Sequence, residues 1–383
     1  MSEKRILVSG GAGFIGSATV LALLVQGWRV RVLDNLLPQV HGSDPEQSAS
    51  FRSIRSDIDF VYGDVRDFET WNRALEGQHA VIHLAALTGT GQSMYQAREY
   101  TAVNDGGTAA LLECLTERRH APSHVVVASS RAVYGEGSYR RPSDGRIVYP
   151  PSRAAADLET GHFSPRCPYT GEGLEPIPTA EDSPLAPASV YAVTKLSQEQ
   201  LVLTVCSALG ITSTALRYQN VFGGGQSLQN PYTGILSIFW RAIREEQTIN
   251  VFEDGCAARD FVHVSDVVRA NMAAISREPG AGSIVNVGTG IATTVLDVLH
   301  ALQRNLGREV RYNVSGDFRL GDIRHCVADT RRMHDLLGIG NTMPFDDGCR
   351  EFVAWAEQNA DGSSPTASYA QSLDELRSRG LMR

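Results

Sequence analysis

A tyrosine and a lysine lie four residues apart in the segment SVYAVTK, as Tyr191 and Lys195. On a helix, this spacing places both side chains on one face, one turn apart. A free tyrosine has a pKa near ~10 and is a poor base at neutral pH, but a neighbouring positive charge favours the phenolate. Tyr191 beside Lys195 could therefore take a proton from an alcohol. Solvent-exposed Tyr–Lys pairs on helix surfaces have the same spacing. Other motifs in the chain are therefore needed to tell a catalytic pair from an exposed one.

A glycine-rich turn near the amino terminus indicates a nucleotide site. Gly10, Gly13 and Gly16 follow the apolar run RILVS and precede a helix-like segment. In such a turn the glycines permit the tight bend, the close approach of backbone N–H groups to a pyrophosphate, and close packing of helix on strand. Asp34 ends the second predicted strand, 18 residues after Gly16. A carboxylate there accepts a ribose 2′-OH and repels a 2′-phosphate, which favours NAD over NADP.

Short β-branched runs alternate with helix-like segments through the first half of the chain. This alternation predicts an α/β fold with a doubly wound parallel sheet. The predicted strands are 5–10, 29–34, 59–63, 79–85, 124–130 and 211–218, and the predicted helices include 14–26, 99–118 and 189–209. The segment 136–187, rich in Pro, Gly, Ser and Arg, interrupts the pattern and is typical of a functional insertion.

The composition limits the functional classes. Of the 383 residues 42% are hydrophobic and 20% are charged, and the formal net charge is −8. With no basic tract, binding to nucleic acid is not expected. The amino-terminal segment lacks a signal-peptide core, and no stretch is apolar for long enough to cross a membrane. The six scattered cysteines are typical of reduced thiols, so we expect a cytoplasmic protein.

Six motifs together resemble the extended short-chain dehydrogenase/reductases, specifically the nucleotide-sugar epimerases and dehydratases. They are GGAGFIG (10–16), GDVRD (63–67), HLAA (83–86), VNDGGT (103–108), SSRAVYG (129–135) and YAVTK (191–195). The resemblance spans roughly residues 4–358 and implies a Rossmann domain followed by a smaller C-terminal α/β domain that binds substrate. We expect the NAD-binding domain at 1–220 and the substrate domain at 221–359, with about 258–290 returning to the first domain and 360–383 as a polar tail with one possible short helix.

The resemblance also assigns roles to individual residues. Ser130, Tyr191 and Lys195 match the catalytic set of the family, in which the serine binds the substrate oxygen, the tyrosine is the base and the lysine also holds the nicotinamide ribose. The positions that match cofactor contacts are Gly10, Gly13, Phe14, Ile15, Gly16, Asp34, Asn35, Asp64, Val65, Leu84, Ala85, Ala86, Asn104, Ser129, Tyr191, Lys195 and Tyr218.

The two residues after Ser130 distinguish between reactions within this family. The 4,6-dehydratases that the sequence resembles have Asp-Glu there, and the sugar-nucleotide decarboxylases keep the Glu; this chain has Arg131 and Ala132. Without these carboxylates, elimination of water is not expected. The remaining chemistry is oxidation and re-reduction at one carbon, so the resemblance implies a 4-epimerase with a transient 4-keto sugar.

The resemblance implies a site for a nucleoside-diphosphate sugar in the second half of the chain. Two arginines, Arg259 and Arg319, are expected to clamp the diphosphate, and Phe252 to stack on a pyrimidine base. Gln219 replaces an aromatic residue common in UDP-galactose 4-epimerases, which indicates a different sugar pocket. The predicted substrate contacts are Thr88, Thr90, Gln92, Ser93, Arg131, Asn220, Gln226, Asn230, Phe252, Arg259, Arg319 and Asp322.

The finer resemblance is to the dTDP-L-rhamnose 4-epimerase subgroup, through LPQVHG (37–42), TGTGQSMY (88–95) and GDIRHC (321–326). The insertion of that subgroup carries a C-P-x-C-G element, but here Thr170 replaces the second cysteine after Cys167, so no metal site is expected. A UDP-hexose or UDP-hexuronate 4-epimerase, a nucleotide-sugar 4-ketoreductase and a non-catalytic dinucleotide sensor remain alternatives.

A homodimer is also implied by the resemblance. In this arrangement the helix that carries Tyr191 and the helix predicted at 99–118 form a four-helix bundle with the same helices of a second subunit. The apolar residues Leu111, Leu112, Leu196 and Val202 on these helices support the expectation.

Overall fold

The structure is a computed structural model that describes residues 4–117, 122–228, 230, 232, 234–277, 279–360 and 366–383. The strands are β1 Arg5–Ser9, β2 Arg29–Asp34, β3 Asp59–Tyr62, β4 Ala80–His83, β5 His124–Ser130, β6 Tyr139–Arg140, β7 Ile147–Val148, β8 Glu175–Pro176, β9 Thr212–Tyr218, β10 Asn220–Phe222, β11 Ile249–Val251, β12 Ala258–His263, β13 Ser283–Val287, β14 Ala292–Thr294, β15 Tyr312–Val314 and β16 His325–Cys326.

The helices lie between these strands along the chain. They are α1 Phe14–Val25, α2 Pro38–His41, α3 Ala49–Arg52, α4 Phe68–Leu75, α5 Thr90–Ser93, α6 Ala97–Tyr100, α7 Gly107–Thr116, α8 Ala155–Glu159, α9 Val190–Leu209, α10 Ile235–Arg244, α11 Val264–Arg277, α12 Val295–Leu306, α13 Arg331–Leu337, α14 Phe345–Asn359 and α15 Thr366–Ser378. Short 3₁₀ helices span Pro45–Gln47 and Arg131–Tyr134, and a π-helix spans Thr101–Gly106.

Seven parallel strands form the main sheet in the order β13-β9-β5-β4-β1-β2-β3. Apolar side chains of the inner strands are buried on both faces of the sheet, as expected of a parallel sheet covered by helices, whereas the edge strand β3 is partly exposed. One core lies between the sheet and α1, α11 and α13, and the other between the sheet and α4, α7 and α9. The strand order reverses between β1 and β4, so a crevice opens there at the carboxyl ends of the strands. The predicted doubly wound Rossmann fold is confirmed.

Part of the chain after β9 forms a smaller α/β unit next to this crevice, while α11, α13 and β13 belong to the main sheet and its covering helices. Strand β12 pairs with β10, β14 and β16, and β11 pairs with β15. Helices α10, α12 and α14 enclose the apolar core of this unit. The chain returns to the main sheet through β13, which pairs with β9.

The predicted helix 99–118 is not a continuous α-helix. A π-helical turn at Thr101–Gly106 joins α6 to α7, and Arg118 lies outside the described residues. Leu111, Leu112 and Val202 are buried in the core of this chain, because they pack between α4, α7, α9 and the sheet. They are therefore not available to form the contact between subunits that their positions suggested.

Two further segments contain more structure than their sequences indicated. The insertion 136–187 contains a small antiparallel sheet of β6, β7 and β8 and the helix α8, in place of an irregular loop. The carboxy-terminal segment contains α15 and packs on the body of the protein, because Leu376 and Met382 are buried. Across the described ranges, none of the helices has both the length and the apolar character to cross a bilayer.

Candidate active site

A cavity of about 1340 Å³ lies at the crevice between the two units of the chain. Most of the predicted site residues line it: Gly10, Gly13, Phe14, Ile15, Gly16, Asp34, Asn35, Val65, Leu84, Ala85, Ala86, Thr88, Thr90, Ser129, Ser130, Arg131, Tyr191, Lys195, Tyr218, Asn220, Gln226, Asn230, Phe252, Arg259, Arg319 and Asp322. The fold therefore brings the glycine turn, the Ser–Tyr–Lys set and the predicted substrate arginines to one cavity.

The glycine turn leaves room for a pyrophosphate. Gly10 has a φ of +70°, and a Cβ on it would lie 2.7 Å from the backbone nitrogen of Ala85. A Cβ on Gly16 would lie 2.2 Å from the carbonyl oxygen of Gly10, so any side chain there would separate α1 from β1. Gly13 is the N-cap of α1 and supplies no side chain to cap it. The backbone N–H groups of the first turn can thus bind phosphate oxygens, which fits the diphosphate of a dinucleotide.

Asp34 stands at the end of β2 on the wall of the same cavity. Its carboxylate accepts hydrogen bonds from the N–H groups of Leu36 at 2.9 Å and Ala12 at 3.1 Å. Burial raises the pKa of Asp34, while these N–H groups and His41 act in the opposite direction. The side chain is held in one orientation, as a carboxylate that selects a ribose hydroxyl would require.

Ser130, Tyr191 and Lys195 reach the cavity from two adjacent elements. Ser130 is the last residue of β5, and the other two lie one turn apart on α9. The start of α9 is fixed because Ser189 Oγ accepts the N–H of Ala192 at 3.1 Å and Ser93 Oγ accepts the N–H of Tyr191 at 3.0 Å. The end of β5 and the start of α9 therefore bring the hydroxyl of Ser130, the phenol of Tyr191 and the amine of Lys195 to the same cavity.

The surroundings of Tyr191 act on its pKa in opposite directions. Burial raises the pKa of Tyr191, and a hydrogen bond with Ser130 and the positive charge of Arg131 lower it. Lys195 Nζ donates to Gln198 Oε1 at 2.8 Å, and burial lowers the pKa of Lys195 to about 7. The effect of Lys195 on Tyr191 thus stays a prediction, and the structure adds Arg131 as a second cation that favours the phenolate.

Arg131 begins the 3₁₀ turn that follows β5. Its Nε donates to Asn220 Oδ1 at 2.6 Å, which fixes the plane of the guanidinium group. Its Nη1 is buried and has no hydrogen-bond partner among the residues that the structure describes. A buried guanidinium N–H that lacks an acceptor destabilises the protein, and an acceptor atom of a ligand would remove this penalty. Nη1 of Arg131 is therefore suited to bind a ligand.

A buried ion pair anchors the next turn of α9. Both carboxylate oxygens of Glu199 accept hydrogen bonds from Arg217 of β9, at 2.6 and 3.0 Å. Ser129 of β5 donates to the same carboxylate at 2.6 Å, and Arg217 also donates to the Tyr134 hydroxyl at 2.8 Å. The side chains of Glu199 and Arg217 are 0% and 1% exposed, so this network joins the helix to two strands without water.

The substrate end of the cavity is basic, and its charges are already partly paired. Arg259 forms a 3.1 Å ion pair with Asp322 and also donates to the carbonyl oxygen of Arg324 at 2.9 Å. Burial alone would raise the pKa of Asp322, but the surrounding arginines, led by Arg259, lower it below its ordinary value. Asp322 therefore stays ionised and orients Arg259. Its predicted contact with the substrate stays a prediction.

Phe252 and Arg319 are stacked on each other. The guanidinium carbon of Arg319 lies 4.9 Å from the centre of the Phe252 ring, a cation–π distance. One face of the ring is thus covered, so a pyrimidine base could stack only on the opposite face or against the guanidinium group.

Four predicted contacts do not line the cavity: Asp64, Gln92, Ser93 and Asn104. The carboxylate of Asp64 binds its neighbour Arg66, and the amide of Gln92 exchanges hydrogen bonds with Gln39. Ser93 supports the start of α9, and Asn104 binds the backbone of Leu87 and the hydroxyl of Thr194. Hydrogen bonds to other parts of the chain hold the side chains of Gln92, Ser93 and Asn104, whereas Asp64 is held by a local contact with Arg66.

Sequence reasoning missed several residues that line the cavity. Tyr369, Ser372 and Leu376 come from α15, in a segment that was expected to be a polar tail with one possible short helix and to which no site residue was assigned. Gln219 is 4% exposed, and neither amide atom has a hydrogen-bond partner within the described part of the chain. The only signal in the sequence was the replacement of an aromatic residue at this position.

Within the part of the chain that the structure describes, the cysteines and acidic side chains do not assemble into a metal site. All six cysteines are free thiols, and Cys256 is exposed while the others are buried. In the described ranges, no group of three or more His, Cys, Asp or Glu side chains could hold a metal ion.

Comparison with known proteins gives a consistent result. The NAD dependent epimerase/dehydratase family model matches residues 6–170 and 162–288. The chain is 38% identical to dTDP-L-rhamnose 4-epimerase of Burkholderia thailandensis over 94% of its own length and 96% of that protein. Its structure is similar to UDP-glucose 4-epimerase of Thermotoga maritima with UDP-glucose, with a TM-score of 0.74, 26% identity, and coverage of 93% of this chain and 100% of the other. It is also similar to the NAD complex of UDP-glucose 4-epimerase from Thermus thermophilus, with a TM-score of 0.72, 28% identity and coverage of 92% and 99%.

Proposed function

Because the chain belongs to the NAD-dependent epimerase/dehydratase family, we propose that it is a 4-epimerase of a dTDP-6-deoxyhexose of the dTDP-L-rhamnose type, acting in deoxysugar biosynthesis. The dTDP-L-rhamnose 4-epimerase relative supports this substrate class, since the similarity extends over 94% of this chain. The glycine turn, Asp34 and Lys195 are the residues that would hold NAD. When bound, NAD accepts the hydride from C4 of the sugar and returns it to the opposite face.

The protein side chains would control one proton and one oxygen. Tyr191 takes the proton of the C4 hydroxyl as the alcohol becomes a ketone. It returns the proton after the 4-keto sugar has rotated to present its opposite face. Ser130 donates a hydrogen bond to the same oxygen, and Arg131 favours the phenolate form that Tyr191 has before it takes the proton and again after it returns it. Arg259 and Arg319 bind the diphosphate, which keeps the nucleotide in place while the hexose rotates.

The observation that carries the proposal is the chemistry at the end of β5. Ser130 is followed there by Arg131 and Ala132, so the position supplies a cation in place of the acid and base that elimination of water needs. Asp322 of the same cavity is kept ionised by its arginines and is therefore unsuited to donate a proton. Transfer of a hydride at one carbon remains the reaction that this set of groups supports.

The test is to incubate the protein with dTDP-L-rhamnose, UDP-galactose and UDP-glucuronate and to identify the products by NMR. A 4-deuterated substrate should give the C4 epimer with its deuterium retained at C4 and no label exchanged with solvent. In D2O with unlabelled substrate, deuterium taken up at C3 or C5 would instead show enolisation, and turnover that consumes added NADH would show a ketoreductase. Conversion of UDP sugars but not dTDP sugars would correct the base and the sugar while leaving the 4-epimerase reaction in place.

The position of Asp34 predicts a preference between cofactors. We expect apo protein to bind NAD at least ~10-fold more tightly than NADP, because a 2′-phosphate next to this fixed carboxylate is repelled by like charge. Titration with each cofactor, followed by tryptophan fluorescence, measures both affinities. Asp34→Ser should reduce the difference, and tighter binding of NADP by the unaltered protein would refute the assignment.

Replacing Arg131 with methionine should change the pH dependence of the reaction. Because Arg131 lowers the pKa of Tyr191, its loss should raise that pKa and move the acid limb of kcat/KM to higher pH. Arg131→Lys keeps the charge and should keep most of the original profile. If the methionine variant has a higher KM with an unshifted acid limb, Arg131 only binds substrate.

A homodimer, a cytoplasmic location and the domain division belong to the same proposal. The outer faces of α7 and α9, which include the exposed Val193, would form the four-helix contact in place of the buried leucines. The free thiols of all six cysteines are in keeping with a reducing compartment. Residues 1–220 would bind NAD and 221–359 the substrate. Sedimentation showing only monomers at micromolar concentration would count against the dimer.

A further inference from the structure

The last residues of the chain are joined to the loop that carries Arg319. The backbone of Arg383 exchanges two hydrogen bonds with that of Phe318, at 2.8 and 3.1 Å. In this antiparallel pairing Arg319 lies opposite Met382, whose side chain is buried. The backbone of Arg319 is therefore held by residues 366–383, the segment that the sequence marked only as a polar tail.

The side chain of Arg319 is held by the same segment. Its Nη2 donates to the hydroxyl oxygen of Tyr369 at 3.3 Å, and its guanidinium group lies over Phe252. Its Nε is buried and has no partner in the described residues, while the side chain as a whole faces the large cavity. Tyr369 and Phe252 also line an adjoining cavity of about 420 Å³. Arg319 thus stands between an aromatic ring and a phenol, with hydrogen-bonding capacity left for a ligand.

Helix α15 is docked firmly enough to act as a wall. Leu376 is buried against Gly91, where an added Cβ would lie 3.4 Å from its methyl group. Arg377 forms an ion pair with Asp317 at 3.4 Å, and α15 packs against α10. The helix therefore touches both the loop after β4 and the smaller unit, and it spans the side of the cavity between them.

We propose that residues 366–383 form a wall of the subsite for the nucleoside diphosphate and that Tyr369 is a positioning residue, which holds Arg319 ready to bind the diphosphate. This inference rests on the proposed function, because it takes the ligand to be a nucleoside-diphosphate sugar. A long arginine side chain loses rotamer freedom when it binds a ligand, so fixing it beforehand lowers the cost of binding. We expect Tyr369 to affect the affinity for the nucleoside diphosphate but not the affinity for NAD, because Arg319 does not belong to the cofactor end of the cavity.

The experiment measures the dissociation constants of dTDP, UDP and NAD by calorimetry, without turnover. Tyr369→Phe removes only the hydroxyl and should weaken dTDP or UDP binding about 3- to 10-fold. A protein that ends at Ala360 should lose more than ~10-fold, since Arg319 then loses both its backbone and side-chain partners. NAD binding should stay within about twofold in both variants, which also shows that they are folded. Tyr169→Phe, at a tyrosine that is 85% exposed, is the matched control.

A double-mutant cycle tests whether Tyr369 acts through Arg319. If it does, Tyr369→Phe should have little further effect in an Arg319→Ala background. An equal effect in both backgrounds, or unchanged nucleotide affinity in Tyr369→Phe, would overturn the positioning role. If the shortened protein does not fold, the cycle alone decides. Failure of the unaltered protein to bind dTDP or UDP would instead overturn the proposed function and this inference with it.

Discussion

Replacing Tyr191 with phenylalanine is expected to lower kcat by about 10²–10⁴-fold, the usual contribution of a positioned general base. The ring remains and only the ionisable oxygen is lost, so packing at the wall of the cavity should be preserved. Affinity for the nucleotide sugar should change little, because Tyr191 acts on the hydroxyl that reacts. Steady-state kinetics with the substrate found in the product assay measures the effect.

The control for this variant is Tyr62→Phe, at a tyrosine that is 68% exposed on the edge strand β3. It makes the same chemical change at a side chain that does not line the cavity and should leave kcat unaltered. An unchanged kcat in Tyr191→Phe would mean that another group takes the proton, and the role proposed for the Ser–Tyr–Lys set would then be wrong.

Replacing Glu199 with alanine is expected to lower the free energy of unfolding by about 3–5 kcal/mol, because it leaves a buried arginine charge without its partner. Arg217 would keep its bonds to Tyr134 and to the backbone, but no carboxylate would balance its charge. Ser129 would also lose its acceptor. Urea denaturation, followed by circular dichroism, measures the difference.

The matched control is Glu175→Ala, which breaks an ion pair with Arg140 in the insertion. Both of these side chains are 54% exposed, so water screens the pair and the expected loss is under ~1 kcal/mol. Equal losses in the two variants would mean that burial does not increase the contribution of the Glu199–Arg217 pair to the free energy of unfolding. Because Glu199 lies one turn beyond Lys195, a loosened α9 should also weaken activity at temperatures below unfolding.

Six of the seven strands of the main sheet were predictable because their signal is local, whereas β13, Ser283–Val287, was not among the predicted strands. Runs that contain β-branched residues gave 29–34 and 124–130 with the same bounds that the structure has. Strand 124–130 is buried along its whole length, while 29–34 alternates buried valines with more exposed arginines. The glycine turn was predictable for a similar reason: its spacing reflects steric needs within a few residues.

What the sequence could not indicate depends on contacts between distant segments. Gln92 and Ser93 stand in a segment next to the cavity, but Gln39 and the start of α9 turn their side chains away. The π-helical turn at Thr101–Gly106 is invisible to a periodicity that assumes a regular helix. The role of α15 depends on docking against α10 and residues 318–320, far away in sequence. The sequence likewise did not indicate that the charge of Arg131 acts on Tyr191, because the two residues are 60 positions apart and meet only in the folded chain.

The single exposed thiol gives this protein a ready site for a chemical label. Cys256 lies in the turn between β11 and β12, four residues after Phe252, and its N–H is held by Asp254 at 2.9 Å. A maleimide fluorophore should react there and spare the five buried cysteines, without any engineered residue. Because the turn adjoins the end of the cavity assigned to the nucleotide, the emission of such a dye could report ligand binding and release in real time.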